Sequence, residues 1–381
     1  MKSLFQADNR VRDEHDNDSL TSGAQTIAHT GPFTDRAISL IPLIAGLAVT
    51  FAALILDFTG SKLSFRGGLL IAGVILFFIG LYLYPTKKHH RAIVNIIFLF
   101  PLLFCFVVTV IIPFGLGLFY STTDWNGIRM TKFTGLGNYI TMFKEQSFLW
   151  SLVLTVLFVI VNMVLVNVIG LSLAVLCTSK MKSVGFFRAS FFIPNLIGGI
   201  VLGYIWQFIF NNVVLKWTFE TFGYNSSMLS KYNTGFLAII IVYIWQYAGY
   251  IMMIYITGLT TVPSDVIEAS AIDGATAVQT FFRIKLPMIA STITVCTFLT
   301  LQSAFKQFDV NMALTNGTGS VTFLGQYLSN GTQMLALNIY NTAITKNNYS
   351  MGQAKAVLFF IILSIVSMLQ VHISNKREVE M

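Results

Sequence analysis

The sequence predicts an all-α, polytopic membrane protein with about eight transmembrane helices. Of its 381 residues, 55% are hydrophobic and only 10% are charged, whereas a soluble domain carries about 25% charged residues. The apolar residues also come in long blocks, and most blocks reach the roughly 20 residues that a helix needs to cross the hydrocarbon of a bilayer. The two observations together exclude an ordinary water-soluble domain.

The apolar blocks follow a polar N-terminal tail at residues 1–37, which we expect to be disordered because it is charged and poor in aromatics. The first block lies too far from the N-terminus for a signal peptide, so we expect no cleaved signal. The predicted spans are approximately Ile38–Leu56, Leu69–Tyr84, Ala92–Tyr120, Phe148–Cys177, Ala189–Phe210, Phe236–Leu259, Met288–Phe305 and Ala356–Ile373.

The basic residues give an orientation. Short loops on one side carry ten Lys and Arg near the span ends, while the longer loops on the other side carry eight that are spread out, including Lys216. This bias places the first set, and with it both termini, in the cytoplasm. It also explains the net charge of +8 without a nucleic-acid partner. The first set is Lys87, Lys88, Arg91, Lys180, Lys182, Arg188, Arg283, Lys285, Lys376 and Arg377.

The spans divide into two plus six. We expect residues 38–91 to form two N-terminal transmembrane helices and a basic linker, residues 92–375 to form the main transmembrane domain, and residues 376–381 to form a cytoplasmic tail. The basic linker contains His89 and His90, which indicate a juxtamembrane patch rather than a metal site because no carboxylate or cysteine lies nearby.

One cytoplasmic loop, residues 262–287, has a distinctive pattern. Pro263–Asp265 is typical of a helix start, and Gly274 is typical of a helix end. A second amphipathic stretch then leads to Pro287, which we expect to open the next span. The pattern predicts two short helices joined at a glycine, with Glu268 exposed and available to a basic partner.

The spacing in this loop resembles the EAA loop of ABC-importer permeases: Glu-Ala-Ala, three residues, Gly, nine residues, Ile, one residue and Leu-Pro. The one departure is a serine in place of the second alanine. The resemblance implies that the first helix couples this chain to an ATPase subunit, where Glu268 pairs with a basic residue and Gly274 permits the bend. The implied coupling residues are Glu268, Ala269, Ser270, Asp273, Gly274, Ile284, Leu286 and Pro287.

The flanking segments resemble the sugar permeases of the maltose type over about residues 92–375. The matching motifs lie at residues 120–126, 133–139, 305–309, 314–317, 340–343 and 349–354. Thr318-Gly319 replaces the usual Gly-Pro, and the loop at residues 121–147 is too short for the large periplasmic domain of the maltose-type subunit.

This second resemblance implies a type I importer core of six helices that translocates a carbohydrate, most simply an oligosaccharide. The two extra N-terminal spans match the eight-span version of the maltose-type subunit. The implied partners are a second homologous permease subunit, two ATPase subunits and an extracytoplasmic solute-binding protein. ATP and Mg are expected on the ATPase, and no cofactor is expected on this chain.

A substrate path is expected around span six, where polar aromatics are dense between Tyr243 and Tyr250. A sugar has apolar faces and a polar edge, which aromatic rings with polar groups suit. Ungapped matching to the maltose-type subunit also points to Ala304 and Gly199, neither of which offers a polar side chain. The path residues implied are Asn195, Tyr243, Gln246, Tyr247, Tyr250, Thr300, Ser303 and Gln307.

Two charged residues at the outer end of span seven, Lys306 and Asp309, are three apart and are expected to share a helix face. A charge at membrane depth is a functional hint. Two interpretations stay open. The two side chains pair with each other near the membrane interface, or they contact the substrate.

Three other functions are alternatives to a sugar permease. An ion-coupled secondary transporter needs carboxylates at mid-membrane, and Asp309 lies near a span end. A membrane enzyme is disfavoured because no nucleophile–base group appears and the scattered Cys105, Cys177 and Cys296 are typical of apolar packing. No Gly-Lys dipeptide is present, so no Walker loop exists and ATP hydrolysis is expected on another subunit. An ABC permease for a non-sugar solute stays open.

Overall fold

The computed structural model describes residues 34–58, 66–83, 90–130, 132–179, 183–223 and 225–375. Most of the predicted N-terminal tail and the predicted C-terminal tail at residues 376–381 lie outside the described residues. The helices are α1 (Thr34–Phe58), α2 (Arg66–Leu83), α3 (His90–Phe106), α4 (Ile112–Ser121), α5 (Gly137–Lys144), α6 (Gln146–Cys177), α7 (Val184–Leu196), α8 (Gly199–Phe208), α9 (Leu215–Phe222), α10 (Tyr232–Thr260), α11 (Ser264–Ile272), α12 (Ala277–Thr280), α13 (Leu286–Met288), α14 (Ala290–Phe305), α15 (Asp309–Leu314), α16 (Leu335–Tyr340) and α17 (Tyr349–Asn375).

Four π-helical segments continue or link these helices, and one small hairpin accompanies them. The π-helical segments are Val107–Ile111, Ile209–Val214, Phe281–Lys285 and Asn341–Thr345. The hairpin pairs strand β1 (Val321–Phe323) with strand β2 (Gln326–Leu328) in antiparallel register, Val321 opposite Leu328.

The chain forms two compact units, Met1–Pro113 and Phe114–Met381. In the first unit, α1 and α2 pack closely against each other. A Cβ built on Gly46 would lie 2.2 Å from the backbone nitrogen of Phe77, and one built on Gly80 would lie 2.3 Å from that of Leu43. Small residues at a helix crossing let backbones approach in this way inside a membrane.

The second unit is centred on α10, which packs on α6, α7 and α14. Its core contains large buried side chains, among them Phe158 on α6 and Tyr243, Met252 and Tyr255 on α10. Many apolar side chains on the outer helices are exposed, as the lipid-facing surface of a membrane protein requires.

In the part of the chain that the structure describes, five helices are long and apolar enough to cross a membrane: Phe98–Ser121, Gln146–Cys177, Gly199–Phe222, Tyr232–Thr260 and Tyr349–Ile373. A sixth span arises if Ala277–Met288 and Ala290–Phe305, which meet at a bend of 73°, are taken together. Two shorter apolar helices cover Ile41–Ala53 and Gly67–Gly80. The all-helical, multi-span class is confirmed, while the count of eight spans stays a prediction.

The fifth predicted span, Ala189–Phe210, is placed wrongly. Helix α7 ends at Leu196, Ile197 is extended with a ψ of 128°, and the apolar helix then runs over Gly199–Phe222. Hydropathy alone does not detect this break because residues on both sides of it are apolar. Lys216, assigned to a loop from the sequence, consequently lies within a helix.

Two other span limits also differ. Pro287 was expected to open the seventh span, but it lies in the short turn α13, before the bend at Ile289, and the span helix α14 follows that bend. The last span was expected to begin at Ala356, whereas α17 begins at Tyr349 and therefore includes Lys355.

Candidate functional site

The loop of residues 262–287 adopts the predicted arrangement of helix, glycine and helix. Helix α11 follows Pro263, and Gly274 takes a left-handed φ of +80°, which glycine adopts without strain. Thr276 then caps α12 through a capping box with Gln279. The backbone N–H of Gln279 donates to the Thr276 hydroxyl, and the backbone N–H of Thr276 donates to Oε1 of Gln279 at 2.8 Å. The local chemistry therefore fixes both helix ends around Gly274.

A buried hydroxyl pair joins the two helices of this loop. The oxygen atoms of Ser270 on α11 and Thr280 on α12 lie 3.1 Å apart, and both residues are buried. The Ser270 hydroxyl also donates to the carbonyl of Ile267 at 2.7 Å. Ser270, the one departure from the EAA pattern, thus makes contacts that an alanine cannot make.

The outer surface of the loop is exposed and mixed in character. Glu268, Ala269 and Asp273 are exposed, and Ile272 is 87% exposed, an unusual state for a side chain of that size. Ile284 and Leu286 are half-buried. An exposed carboxylate beside exposed apolar side chains is the composition of a protein-binding surface.

The predicted path residues come from three regions that meet in the second unit. Tyr243 on α10 is fully buried and its hydroxyl lies 2.8 Å from that of Ser303 on α14. The rings of Tyr243 and Tyr247 lie 4.4 Å apart. Gln246 donates to the carbonyl of Ile197, in the break between α7 and α8, at 3.4 Å. Helix α10 is therefore hydrogen-bonded both to α14 and to the break between α7 and α8.

The remaining path residues differ in how open they are. Asn195, Tyr247, Tyr250 and Ser303 are half-buried, whereas Tyr243, Gln246, Thr300 and Gln307 are buried. The Nε2 atom of Gln307 is buried and has no hydrogen-bond partner among the described residues. A buried amide without a partner costs free energy, which is offset when a ligand or water accepts its hydrogen.

Thr300 takes part in a polar chain that the sequence alone did not indicate. Asn167 on α6 donates to the Thr300 hydroxyl at 3.3 Å and accepts from the Tyr255 hydroxyl at 2.8 Å. Four asparagines and many threonines lie in the predicted spans, so no single residue was distinctive. These hydrogen-bonded side chains connect α10 through α6 to α14 and fix the relative positions of the three helices.

Lys306 and Asp309 do not share a helix face, contrary to expectation, because α14 ends at Phe305 and α15 begins at Asp309. Both residues are exposed, and no ion pair joins them in the described part of the chain. Asp309 instead lies against Gly199, where an added Cβ would come within 3.1 Å of its Oδ2 atom. Asp309 therefore borders the break between α7 and α8.

A buried lysine, Lys355, was missed because the predicted last span began one residue after it. Its ammonium is fully buried and lies 2.7 Å from Oε2 of Glu145. It also donates to Asn338 Oδ1 at 2.9 Å and to the Thr342 hydroxyl at 2.8 Å. An ionisable residue inside a span is the signal that would have found it.

Glu145 is held in its charged form. Burial tends to raise its pKa, but hydrogen bonds from Lys355 and Ser147 and the nearby lysine charges lower it more, so the pKa lies below the ordinary 4.5. The Glu145–Lys355 pair joins the start of α6 to α17.

Within the described residues, no group of three His, Cys, Asp or Glu side chains forms a metal site.

The chain is similar to known transport proteins. Residues 167–379 match the family described as the binding-protein-dependent transport system inner membrane component. The chain is 44% identical over 286 residues to the probable starch degradation products transport system permease protein AmyD of Thermoanaerobacterium thermosulfurigenes, which covers 75% of this chain and 95% of that protein.

Two further similarities extend over the same region. The chain is 33% identical to the multiple sugar-binding transport system permease protein MsmF of Streptococcus mutans, over 72% of this chain and 92% of MsmF. Its fold resembles a chain of a bacterial alginate ABC transporter crystallised with an alginate pentasaccharide-bound periplasmic protein. That match has a TM-score of 0.65 and 17% identity, and it covers 76% of this chain and 96% of the other.

The matched region begins inside α6 and contains the loop of residues 262–287 with its exposed helix α11. The match spans more than half of the chain, and the similarity to AmyD covers nearly all of that permease. The chain therefore belongs to the binding-protein-dependent transport system inner membrane component family and is a multi-pass permease of an ABC importer in the cytoplasmic membrane.

Proposed function

We propose that this permease imports a carbohydrate, specifically an oligosaccharide, by alternating access driven by a separate ATPase subunit. The observation that carries the proposal is the loop of residues 262–287, where an exposed helix with Glu268 near its middle ends at Gly274. The nature of the cargo is supported by the names of the relatives, which transport starch degradation products and multiple sugars.

The coupling loop, as we call residues 262–287, transmits the ATPase cycle. Helix α11 sits in a groove of the ATPase, where Glu268 pairs with a basic residue and the exposed Ile272 adds apolar contact. Closure of the ATPase dimer moves the groove, and the Ser270–Thr280 pair carries the motion from α11 to α12. The 73° bend before α14 then transmits this motion to α14, which carries the path residues Thr300 and Ser303.

The partners follow from the same proposal. A second homologous permease completes the pathway, two ATPase subunits bind ATP and Mg, and an extracytoplasmic solute-binding protein delivers the sugar. This chain binds neither ATP nor Mg itself, and purified alone it is expected to show no ATPase activity. Both of its termini lie in the cytoplasm, as the basic loops indicate.

The path residues recognise the sugar. Tyr247 and Tyr250 offer half-buried aromatic faces, and Asn195 and Ser303 offer polar groups beside them. Tyr243 supports Tyr247 from behind through ring contact, since its own hydroxyl is already bonded to Ser303. Apolar faces and polar edges of a pyranose are thus met by rings and hydrogen-bonding groups.

Uptake by a Tyr247→Ala, Gln246→Ala double variant tests this path. We expect the reconstituted complex to lose uptake of radiolabelled maltotriose while its subunits still co-purify. Tyr204→Ala is the matched control, because Tyr204 lies on the neighbouring span, is 57% exposed and is no member of the path. Normal uptake by the double variant would show that the path is wrong.

A further inference from the structure

A polar cavity in the second unit has no role in the path described above. Its volume is about 410 Å³, and it lies between α15, the segment after the hairpin, and the end of α16. Five carboxamide side chains line it: Asn316, Asn330, Gln333, Asn338 and Asn341. Cavities that bind small molecules have volumes of about 300–1,000 Å³.

The carboxamides leave hydrogen-bonding groups available to a ligand. Gln333 is buried, and its Oε1 accepts from Asn330 and from Asn338, but its NH2 group donates to no other described residue. The side chain of Asn316 likewise makes no hydrogen bond within the described part of the chain, and Asn341 uses only its oxygen, accepting from Thr345 at 3.3 Å. The cavity thus offers donors and acceptors side by side.

An aromatic ring and the charges of the lining residues indicate which class of ligand the cavity binds. Tyr340 lines the cavity, and its ring packs against Phe308 with centroids 5.1 Å apart. None of the described residues that line the cavity is acidic, and one, Lys346, is basic. Amides and a tyrosine suit a neutral polyhydroxyl compound, and a lining without carboxylates supplies no negative charge to balance a metal cation.

The cavity also adjoins the proposed path. Phe308, which packs on Tyr340, directly follows Gln307, the path residue whose Nε2 atom lacks a partner. Met312, three residues after Asp309, lines the cavity itself. The ring contact of Phe308 with Tyr340 therefore joins the cavity lining to the residue that follows Gln307 in the chain.

We propose that this cavity is a second saccharide subsite, which holds a neutral sugar unit before that unit enters the path around Tyr247. The proposal rests on the carbohydrate function proposed above. Gln333 and Asn338 form its fixed floor, because both are buried and hydrogen-bonded. Asn316, Asn341 and Tyr340 contact the sugar.

A matched pair of asparagines tests the subsite. Asn316 and Asn347 are both exposed and both left-handed, with φ values of +49° and +51°, but Asn347 does not line the cavity. Glycine adopts this conformation without strain, so Asn316→Gly and Asn347→Gly both preserve the backbone. Any difference between them reports on the cavity.

The measurement is equilibrium dialysis of radiolabelled maltotriose against the complete complex in nanodiscs, with uptake assayed in parallel. Asn316→Gly should raise the Kd about three- to tenfold, the loss of one or two hydrogen bonds, and Asn316→Gly with Tyr340→Ala should raise it further. Asn347→Gly should bind as wild type does. Basal ATPase activity confirms that each variant complex is assembled.

The outcomes separate the subsite from the transport function. If both cavity variants bind and take up maltotriose as wild type does, the subsite is refuted and the carbohydrate function stands. If the wild-type complex takes up no neutral oligosaccharide from a panel of maltose-, trehalose- and raffinose-type sugars, the carbohydrate function falls and the subsite falls with it.

Discussion

The hydroxyl oxygens of Ser270 and Thr280 lie 3.1 Å apart and connect the two helices of the coupling loop. Because the Ser270 hydrogen is directed to the carbonyl of Ile267 at 2.7 Å, Thr280 is the donor in this pair. The EAA pattern has alanine where this chain has Ser270. The serine therefore adds a buried hydrogen bond at the contact between α11 and α12.

Removing one hydroxyl should cost more than removing both. Ser270→Ala leaves the Thr280 hydroxyl buried without its acceptor, a loss of about 1–3 kcal/mol, whereas Ser270→Ala with Thr280→Val leaves no polar group unsatisfied. We expect the single variant to lower the Tm of the purified complex and to weaken ATPase stimulation by the binding protein. The double variant should recover most of both, and strictly additive losses would contradict the pairing.

The Glu145–Lys355 pair should be costly to break from one side. Glu145→Gln leaves a fully buried ammonium without its carboxylate, and breaking a buried pair in this way costs about 3–5 kcal/mol. Glu145→Gln combined with Lys355→Met should be less damaging, since no charge is then left. Thermal unfolding of the detergent-purified chain measures both, and a single variant as stable as wild type would show that the pair is dispensable.

The same pair predicts an acid-sensitive contribution to stability. The pKa of Glu145 is lower in the folded chain than its ordinary value of 4.5, so its stabilisation is complete above that value. It is lost as the pH falls through the lowered folded pKa. The Tm difference between wild type and Glu145→Gln should therefore shrink as the pH falls below 4.5, and a constant difference would be inconsistent with a charged Glu145.

A glycine at a helix crossing gives a steric prediction. A Cβ on Gly249 of α10 would lie 1.7 Å from the carbonyl oxygen of Phe191 on α7, a backbone atom that cannot move aside alone. Gly249→Ala should force these helices apart and cost about 3 kcal/mol or more. Gly115→Ala is the control because no described atom outside its own stretch of helix lies within 4 Å of the added Cβ. Yield of monodisperse protein and its Tm distinguish the two; equal values would argue against the close crossing.

The coupling loop shows what short-range signals in a sequence determine. Pro263, Gly274 and the spacing between them act within a few residues, so the helix, the glycine and the second helix were predicted correctly. The Ser270–Thr280 pair was not predicted, because a contact across ten residues depends on how the two helices fold back on each other.

The spans show where hydropathy is insufficient. The break at Ile197 and Gly198 lies between two apolar helices, so a hydropathy profile continues across it. The predicted limits of the fifth span were therefore wrong. Lys355 was left just outside the last span for the opposite reason: a lysine ended the apolar block although the helix continues through it, and its charge is neutralised inside the protein by Glu145. The path residues were chosen by resemblance, and the structure brings Tyr243, Ser303 and Gln246 into one region without testing their roles.

The most direct measurement is ATP hydrolysis stimulated by the binding protein in the reconstituted complex carrying Glu268→Lys. The account predicts a fall of about tenfold or more, because a cation replaces the exposed carboxylate that docks on a basic residue of the ATPase. Glu220→Lys, which changes another exposed glutamate, on α9 and outside the coupling loop, should leave the rate unchanged. A wild-type rate in Glu268→Lys would contradict the proposed coupling.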